Sequence, residues 1–190
     1  MPAKSSSVQR ITLAVLDKPG NHIEIDTRLV NSDALIKANA MLIRRATAGD
    51  GTTLVDIWLR SVRATHTFLT ENDIQDFLPH VRMYLTSSDA ELWVLCSDTG
   101  AMMGFMGMSG SKMESLFLAP EFQRTGGGKW LVRHAQELKG EITVDVNEQN
   151  VAACRFYDAC GFVVEGRSEL DGAGRPFPLL HLRLMAPVQY

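Results

Sequence analysis

The sequence predicts an α/β fold in which helices cover the faces of one mixed β-sheet. Three observations support this prediction. Helical and strand periodicities alternate from Met41 to Met185, the first half of this stretch is typical of an antiparallel meander, and the second half follows a strand–helix–strand–helix–strand order. That order requires parallel crossover connections. A chain of 190 residues is long enough for one such domain with an appendage.

The first predicted elements are a strand and two helices. Leu42–Ala46 is a short strand, and apolar residues then recur at helical spacing from Leu54 to Val62. Asp50 stands where the N-cap of this helix is expected. A second helix is predicted from about Thr70 to Leu85, and Pro79 predicts a kink or an interruption within it.

The meander follows. Glu91–Cys96 and Met102–Ser109 flank a turn and predict a β-hairpin, and Lys112–Leu118 adds a third strand. Beyond the glycine triplet 126–128 the helical period returns. The remaining predicted elements are a helix around Leu131–Leu138, a strand at Glu141–Val146, a helix at Val151–Ala159, and a closing hairpin of Phe162–Leu170 and Phe177–Met185. The edge of that hairpin can pair with a second copy of the chain, so a homodimer is one expected arrangement.

Residues 1–40 differ in pattern from the rest, so we expect an N-terminal extension followed by a compact domain at 41–190. Arg10–Asp17 and His22–Val30 flank the turn residues Lys18–Asn21. Because a lone two-stranded ribbon is marginal in water, the extension is expected to be either a weak hairpin or a loosely held segment.

Composition excludes several classes of protein. The net charge is −3, 45% of the residues are hydrophobic and 22% are charged, as in an ordinary globular domain. No apolar run is long enough to cross a bilayer, no signal-like segment opens the chain, and no run of basic residues suggests nucleic-acid binding. Three cysteines and five histidines show no metal-site or disulfide spacing. We therefore expect a cytoplasmic protein without a metal, whose partner is a small molecule or a discrete protein surface.

The most informative segment runs from Leu116 to Lys129, where a predicted strand ends in a glycine-rich loop that opens a helix. Glycine permits positive φ and close approach, and the free N–H groups of a first helical turn attract anions. Such a junction can hold a pyrophosphate. Two common nucleotide motifs do not fit, because Gln123 and Trp130 break the P-loop pattern and Leu131 breaks the dinucleotide fingerprint. A turn without a ligand stays open as the alternative for the triplet alone.

Two segments resemble motifs of the GNAT superfamily of N-acetyltransferases. Gln123-Arg-Thr-Gly-Gly-Gly128 matches its Q/R-x-x-G-x-G/A loop, and Asn150–Phe162 resembles its later N-x-x-A-x-x-F-Y-x-x-x-G-F segment. The order of elements from Met41 to Met185 also resembles that family. The resemblance implies a centrally splayed sheet and the transfer of an acetyl group from acetyl-CoA to a small-molecule, peptide or protein amine by direct attack on the thioester.

The resemblance also implies roles for individual residues. Main-chain groups of Phe117 and Leu118 would pair with the pantetheine arm, Asn150 would support that arm, and Tyr157 occupies the general-acid position. The pyrophosphate would be held by the loop, which consists of Gln123, Arg124, Thr125, Gly126, Gly127, Gly128 and Lys129. Tyrosine is a suitable acid for a departing thiolate, since its ordinary pKa of about 10 lies only about 1.5 units above that of a thiol.

The proton acceptor and the acceptor pocket are less defined by the sequence. The resemblance implies Glu114 as the base, since it lies on the strand before the loop, where some members of the family have a glutamate. Asp145 and Glu148 are alternatives that are also explained as solvated carboxylates. His66 lies between the first two helices and is predicted either to bind the substrate or to be a surface or capping residue. Two other functions stay open: a CoA-binding or interaction module without turnover, and an acyltransferase for longer acyl chains.

Overall fold

The computed structural model describes residues 41–185 and, within residues 1–40, two short strands. Contacts between residues divide the chain into two units, Met1–Ala40 and Met41–Tyr190. In the first unit, β1 (Ala14–Leu16) pairs antiparallel with β2 (His22–Glu24). The other parts of the predicted hairpin lie outside the described residues.

The second unit is built on seven further strands, which are β3 (Leu42–Arg45), β4 (Glu91–Cys96), β5 (Met102–Ser109), β6 (Lys112–Leu118), β7 (Ile142–Asn147), β8 (Val163–Ser168) and β9 (Leu179–Leu184). They form one sheet in the order β3-β4-β5-β6-β7-β9-β8. Neighbours are antiparallel except β6 and β7, which are parallel. The predicted mixed sheet is confirmed. Because β9 lies between β7 and β8, the connection from β7 to β8 passes over one strand position.

Four helices accompany the sheet: α1 (Gly51–Thr65), α2 (Glu71–Thr86), α3 (Gly127–Lys139) and α4 (Val151–Asp158). A capping box begins α2, because the Thr70 hydroxyl accepts a hydrogen bond from the Asp73 N–H and the Asp73 carboxylate accepts one from the Thr70 N–H. The helix runs through Pro79, so the predicted interruption does not occur. The cap and the burial of Ile74 and Leu85 offset the donor that proline lacks.

Asp50 does not cap α1 with its side chain as the sequence predicts. Its carboxylate accepts two hydrogen bonds from the Arg44 guanidinium, at 2.8 and 2.9 Å, and two more from the N–H and hydroxyl of Thr47. The Arg44 guanidinium holds the pKa of Asp50 well below its usual range. This partly buried ion pair connects the end of β3 to the start of α1.

An apolar cluster lies on each face of the sheet. On one face α1 and α2 pack over β4 and β5, with Leu54, Ile57 and Phe105 fully buried. On the other face α3 and α4 cover a cluster that contains Met113 and Leu131. Each such side chain contributes about 1.5–3 kcal/mol of burial free energy. No helix among residues 41–185 is both long and apolar enough to cross a membrane.

Candidate active site

The parallel strands β6 and β7 separate soon after they begin. Their register contains only the pairs Lys112↔Thr143 and Met113↔Val144, although β6 continues to Leu118. Beyond Met113 a gap therefore opens between the strands, which confirms the predicted splay of the sheet. Main-chain groups at the edge of such a gap have no partner strand, so an extended ligand can hydrogen-bond to them.

The hydrogen-bond pattern on the other edge of β6 shows which main-chain groups face the gap. The Ala119 N–H donates to the Met103 carbonyl on β5, at 2.9 Å. In an antiparallel pair the residues alternate between bonded and non-bonded positions, so Phe117 bonds to β5 as well, while Leu116 and Leu118 face the gap. Phe117 and Leu118 are the two residues predicted to pair with the pantetheine arm, and only the main-chain groups of Leu118 face the gap. The main-chain groups of Leu116 face it as well.

The predicted pyrophosphate loop ends at the first turn of α3. The first main-chain hydrogen bond of that helix runs from the Trp130 N–H to the Gly126 carbonyl, at 3.2 Å, so the N–H groups of Gly127, Gly128 and Lys129 precede it. Gly126 has φ +92° and Arg124 has φ +63°. These left-handed positions turn successive N–H groups in one direction, as an anion-binding loop requires.

The three glycines are needed for different reasons. At Gly126 a side chain would find open space, so the requirement is the positive φ alone. A Cβ at Gly127 would stand 2.6 Å from the Leu95 side chain, and one at Gly128 would stand 3.0 Å from the Phe156 ring. Gly127 and Gly128 therefore let α3 approach the sheet and α4 closely.

Two other polar groups support the loop. The Thr125 hydroxyl donates to the Phe122 carbonyl at 2.7 Å, and the Gln123 amide donates to the Leu118 carbonyl at 3.4 Å.

Asn150 is buried and caps α4, because its Oδ1 accepts a hydrogen bond from the Ala153 N–H at 3.1 Å. The capping role explains an asparagine at this position independently of any ligand.

Tyr157 lies on α4 and is buried between the rings of Phe156 and Phe162, each with its centroid 5.1 Å away. Its hydroxyl forms no hydrogen bond with any described residue. Burial raises the pKa of Tyr157 above its usual range, and the neighbouring thiols of Cys160 and Cys154 add to this effect. The phenol therefore stays protonated at neutral pH and can act there as a proton donor but not as a base.

A β-bulge orients the predicted base. Gly107 pairs with Ser115 and Met108 with Met113, so Glu114 is the extra residue on β6. The bulge turns Glu114 and Ser115 toward the same cavity, on the face covered by α1 and α2. Glu114 is 37% exposed and lies 3.4 Å from the Lys112 ammonium.

This cavity, called the acceptor cavity below after its expected role, has a volume of about 520 Å³, which is within the range of small-molecule sites. Its wall is mainly apolar and includes four aromatic rings. The lining residues are Trp58, Val81, Tyr84, Leu85, Phe105, Ser109, Glu114, Ser115 and Phe117. These residues come from α1, α2, β5 and β6, and the sequence pattern identified only Glu114 and Phe117 among them. The sequence contained one signal of this cavity, which is Gly107 within β5. A glycine in a strand often marks a close approach by another group, and here its missing side chain leaves the space that the Tyr84 hydroxyl occupies.

His66 follows the last turn of α1 and packs beside the cavity wall. Its ring lies 6.2 Å from Phe117 and 5.5 Å from Phe68, and its Nδ1 is 2.8 Å from the Thr65 hydroxyl. Burial lowers the pKa of His66 to about 4, so the ring is neutral at pH 7.

The other two predicted bases are already engaged. Asp145 accepts hydrogen bonds from His181 Nδ1 at 2.7 Å and Lys112 Nζ at 2.9 Å, and Glu148 pairs with Arg167 at 2.7 Å in an exposed position. Among residues 41–185 no group of three histidine, cysteine, aspartate or glutamate side chains could hold a metal ion.

A strand edge open to an extended ligand, an anion-binding helix start beside it, and an apolar cavity with a carboxylate on the neighbouring face define a class of protein. These are the features expected of a transferase that binds a CoA thioester on one side of β6 and an acceptor on the other. The two sides are called the acetyl-CoA side and the acceptor side below.

Comparisons with known proteins give the family. Residues 88–164 match the acetyltransferase (GNAT) domain. The peptidyl-lysine N-acetyltransferases YjaB of Salmonella typhimurium and Escherichia coli are each 44% identical to this chain, over 74% of it and over 95% and 94% of their own lengths. The solution structure of apo YjaB from Escherichia coli has a TM-score of 0.72 and 42% identity, and the match covers 78% of this chain and 99% of that one.

A more distant protein shares the fold. The PaiA N-acetyltransferase of Thermoplasma acidophilum, solved in complex with coenzyme A, has a TM-score of 0.61 and 19% identity over 78% of this chain and 99% of its own. The chain belongs to the GNAT family of acetyltransferases. It transfers an acetyl group from acetyl-CoA to an amine, as the two motifs predict, and a role as a module without turnover is not favoured.

Proposed function

We propose that the acceptor is the side-chain amine of a lysine in a peptide or protein. The observation that carries this proposal is the acceptor cavity, where aromatic and aliphatic walls surround one carboxylate, Glu114. The methylene stem of a lysine suits apolar walls, and its ammonium suits a carboxylate. The names of the relatives that are 44% identical, both peptidyl-lysine N-acetyltransferases, support the same acceptor class.

On the acetyl-CoA side we propose that main-chain groups bind most of the co-substrate. The N–H groups of Gly127, Gly128 and Lys129 would hold the pyrophosphate, with Arg124 and Lys129 supplying positive charge. The pantetheine arm would follow the free edge of β6 at Leu116 and Leu118 and pass Asn150 near the start of α4.

The chemistry requires a neutral amine. A lysine amine with an ordinary pKa of about 10.4 is neutral in only about one molecule in a few thousand at pH 7. We propose that Glu114 attracts the ammonium and accepts one proton from it, which frees the lone pair of the nitrogen for attack on the thioester carbonyl. Bond formation to the carbonyl makes the nitrogen far more acidic, so it then loses a second proton to solvent. The tetrahedral intermediate then collapses with cleavage of the C–S bond, the Tyr157 hydroxyl protonates the departing thiolate, and the tyrosinate regains a proton from solvent.

The test of the acceptor is a comparison of amines. The protein is incubated with acetyl-CoA and a peptide that has a blocked N-terminus and a single lysine, and thiol release and peptide mass are followed. We expect acetylation of this peptide and none of the matched peptide in which arginine replaces the lysine. Acetylation of a free polyamine alone would contradict the proposed acceptor class without affecting the acetyltransferase assignment.

We also propose the domain organisation, the oligomeric state and the cellular location of the protein. Residues 41–190 are proposed to fold and bind acetyl-CoA after deletion of residues 1–40, which calorimetry on the shortened chain tests. A homodimer is proposed to pair through β8, where Val163 and Val164 are more than half exposed. The free thiols of Cys96, Cys154 and Cys160 support a reducing, cytoplasmic location.

A further inference from the structure

Three side chains on β7, β9 and β8 form a continuous chain of hydrogen bonds. The Nε2 of His181 lies 2.7 Å from the Ser168 Oγ, and its Nδ1 lies 2.7 Å from the Asp145 Oδ1. Asp145 belongs to β7, His181 to β9 and Ser168 to β8. A serine and a carboxylate on the two nitrogens of one imidazole form the arrangement that activates the nucleophile of serine hydrolases.

The partners determine which group donates each hydrogen bond. A carboxylate only accepts, so in the neutral ring of His181 the proton is on Nδ1, where it faces Asp145. The Nε2 is then an acceptor, and the Ser168 hydroxyl donates to it. Asp145 also accepts a hydrogen bond from the Lys112 ammonium, at 2.9 Å, which holds the carboxylate in place. Ser168 therefore has a base aligned with its proton.

Strand register and one glycine produce this alignment. His181 lies directly opposite Asp145 on one side and directly opposite Gly166 on the other. A Cβ at Gly166 would stand 3.3 Å from the His181 ring. The glycine therefore leaves the space in which the ring lies over β8 and approaches Ser168.

The three side chains are accessible to a ligand. Those of His181 and Asp145 are 39% and 30% exposed, and Ser168 is partly exposed. Leu179 lies directly opposite Ser168 on β9, and Leu170, which is 50% exposed, follows two residues after the serine. The serine thus has apolar neighbours that suit a short acyl chain.

A main-chain donor follows the serine. The Glu148 N–H donates to the Pro178 carbonyl, so by the alternation of hydrogen bonds along β9 the main chain of Leu179 faces β8 and bonds to Ser168. The N–H of Glu169 then points to the free edge of the sheet, since β8 is the last strand, and it donates to no described main-chain group. In α/β-hydrolases the N–H after the nucleophile stabilises the oxyanion, and the Glu169 N–H is available for that role.

We propose that Ser168, His181 and Asp145 form a second catalytic site, which hydrolyses short-chain carboxylic esters. The Ser168 Oγ attacks the ester carbonyl carbon while the His181 Nε2 takes its proton, the C–O bond to the alcohol breaks, and the alcohol leaves with that proton. Water then attacks the acyl-serine, with His181 as the base, which releases the carboxylic acid and restores the serine hydroxyl. Three strand spacings, at least about 14 Å, separate β8 from β6, so this site is distinct from the acetyl-CoA side.

The first test is covalent labelling with an alkyl fluorophosphonate. The Ser168 Oγ displaces fluoride from phosphorus, and His181 takes the hydroxyl proton. We expect mass spectrometry of the digested protein to find the label on Ser168, and the labelling rate to fall at least about 100-fold in H181Q. Ser88, an exposed serine whose hydroxyl bonds to the Asp89 carboxylate, is the internal control and is expected to stay unlabelled. Absence of the label from Ser168, or an equal rate in H181Q, would overturn the proposal.

The second test is the hydrolysis of p-nitrophenyl acetate after the cysteine thiols have been blocked. We expect S168A to lose at least about tenfold of the rate, whereas S88A is expected to match the wild type. Saturating coenzyme A is expected to leave the rate unchanged, because the two sites are separate. If S168A lowered the melting temperature and hydrolysed the ester as fast as the wild type, the three side chains would only join the strands and the proposal would fail. Failure of every amine as an acceptor would contradict the proposed function and leave this site untouched.

Discussion

The two sides of β6 are built from different parts of the chain. The acetyl-CoA side consists mainly of main-chain groups from one continuous segment, in which the strand edge at Leu118 leads into the loop at Gly126 and the first turn of α3. The acceptor side consists of side chains from α1, α2, β5 and β6. Main-chain binding depends on backbone conformation, whereas side-chain binding depends on the identity of each residue. The first side therefore suits a constant co-substrate, and the second can change specificity by single substitutions.

The largest expected effect follows from the backbone of the acetyl-CoA side. In G126V a β-branched residue must either adopt the positive φ of +92° or rearrange the loop, although there is space for the side chain itself. Either outcome misdirects the N–H groups that follow. We expect the Kd for acetyl-CoA to rise at least about 100-fold, about 3 kcal/mol, by isothermal titration calorimetry.

A matched control exists for this substitution. Gly100, in the turn between β4 and β5, has φ +82° and the same open space around it. G100V carries similar backbone strain at a position away from the loop, so it is expected to lower the melting temperature comparably without changing the Kd. Equal loss of affinity in both variants would show that strain, not the loop, governs binding.

The next largest effect concerns Tyr157 on α4. Y157F removes a hydroxyl that forms no hydrogen bond with any described residue, so stability and acetyl-CoA affinity are expected to hold. Loss of a general acid typically lowers the rate about 100-fold, and kcat is expected to fall by this factor. The measurement is steady-state thiol release combined with calorimetry. Unchanged kcat, with the chemical step shown to be rate-limiting, would reject the acid role.

The contrast between binding by main-chain groups and binding by side chains also explains which features could be predicted from the sequence. The bounds of β4, β5 and β6 agree with prediction because hairpin periodicity is a local signal, and the loop at Gly126 was recognisable because all its parts are adjacent in the chain. The meeting of Tyr84 with Ser115 depends on how α2 packs over β5 and β6. The bulge at Glu114 depends on strand register. Neither register nor packing is encoded by a short pattern.

Asp50 and Phe117 show the same limit on a smaller scale. Asp50 stands in an N-cap position, but a guanidinium from β3 competes for its carboxylate and wins. Phe117 belongs to the segment that borders the gap, yet the alternation of hydrogen bonds directs its main chain to β5 and its side chain to the acceptor cavity. In both cases a tertiary partner, and not the local pattern, determines where the groups of the residue are directed.

On the acceptor side the expected effects are smaller. E114Q removes the charge that is proposed to hold the acceptor ammonium and keeps the size of the side chain. Because Glu114 is about one-third exposed and already near Lys112, solvent and the neighbouring cation reduce the loss. We expect about a tenfold rise in the KM for the acceptor, about 1.4 kcal/mol, with no change in the Kd for acetyl-CoA.

The control for E114Q is E137Q. Glu137 is an exposed partner of Arg133 on α3, so its neutralisation changes the net charge equally without touching the acceptor cavity. Acceptor KM values of E137Q and wild type are expected to agree. If E114Q also matched the wild type, Glu114 would have no part in holding the amine.

The smallest expected effect is a pH dependence of stability at the edge of the acceptor side. Burial lowers the pKa of His66 to about 4, whereas an unfolded histidine titrates near 6.5. Between these values the unfolded state binds the proton and the native state does not, so stability is full above about pH 6.5 and falls as the pH decreases toward 4.

From pH 7 to pH 6 the free energy of unfolding decreases by about 0.7 kcal/mol because of His66. Burial also lowers the pKa of His134, so every variant is expected to lose some stability between these pH values. In urea unfolding the loss is expected to be the same in the wild type and in H80Q, which changes an exposed histidine, and smaller by the contribution of His66 in H66Q. An equal loss in H66Q would mean that the ring of His66 is hydrated, and that the wall beside Phe117 is open to water.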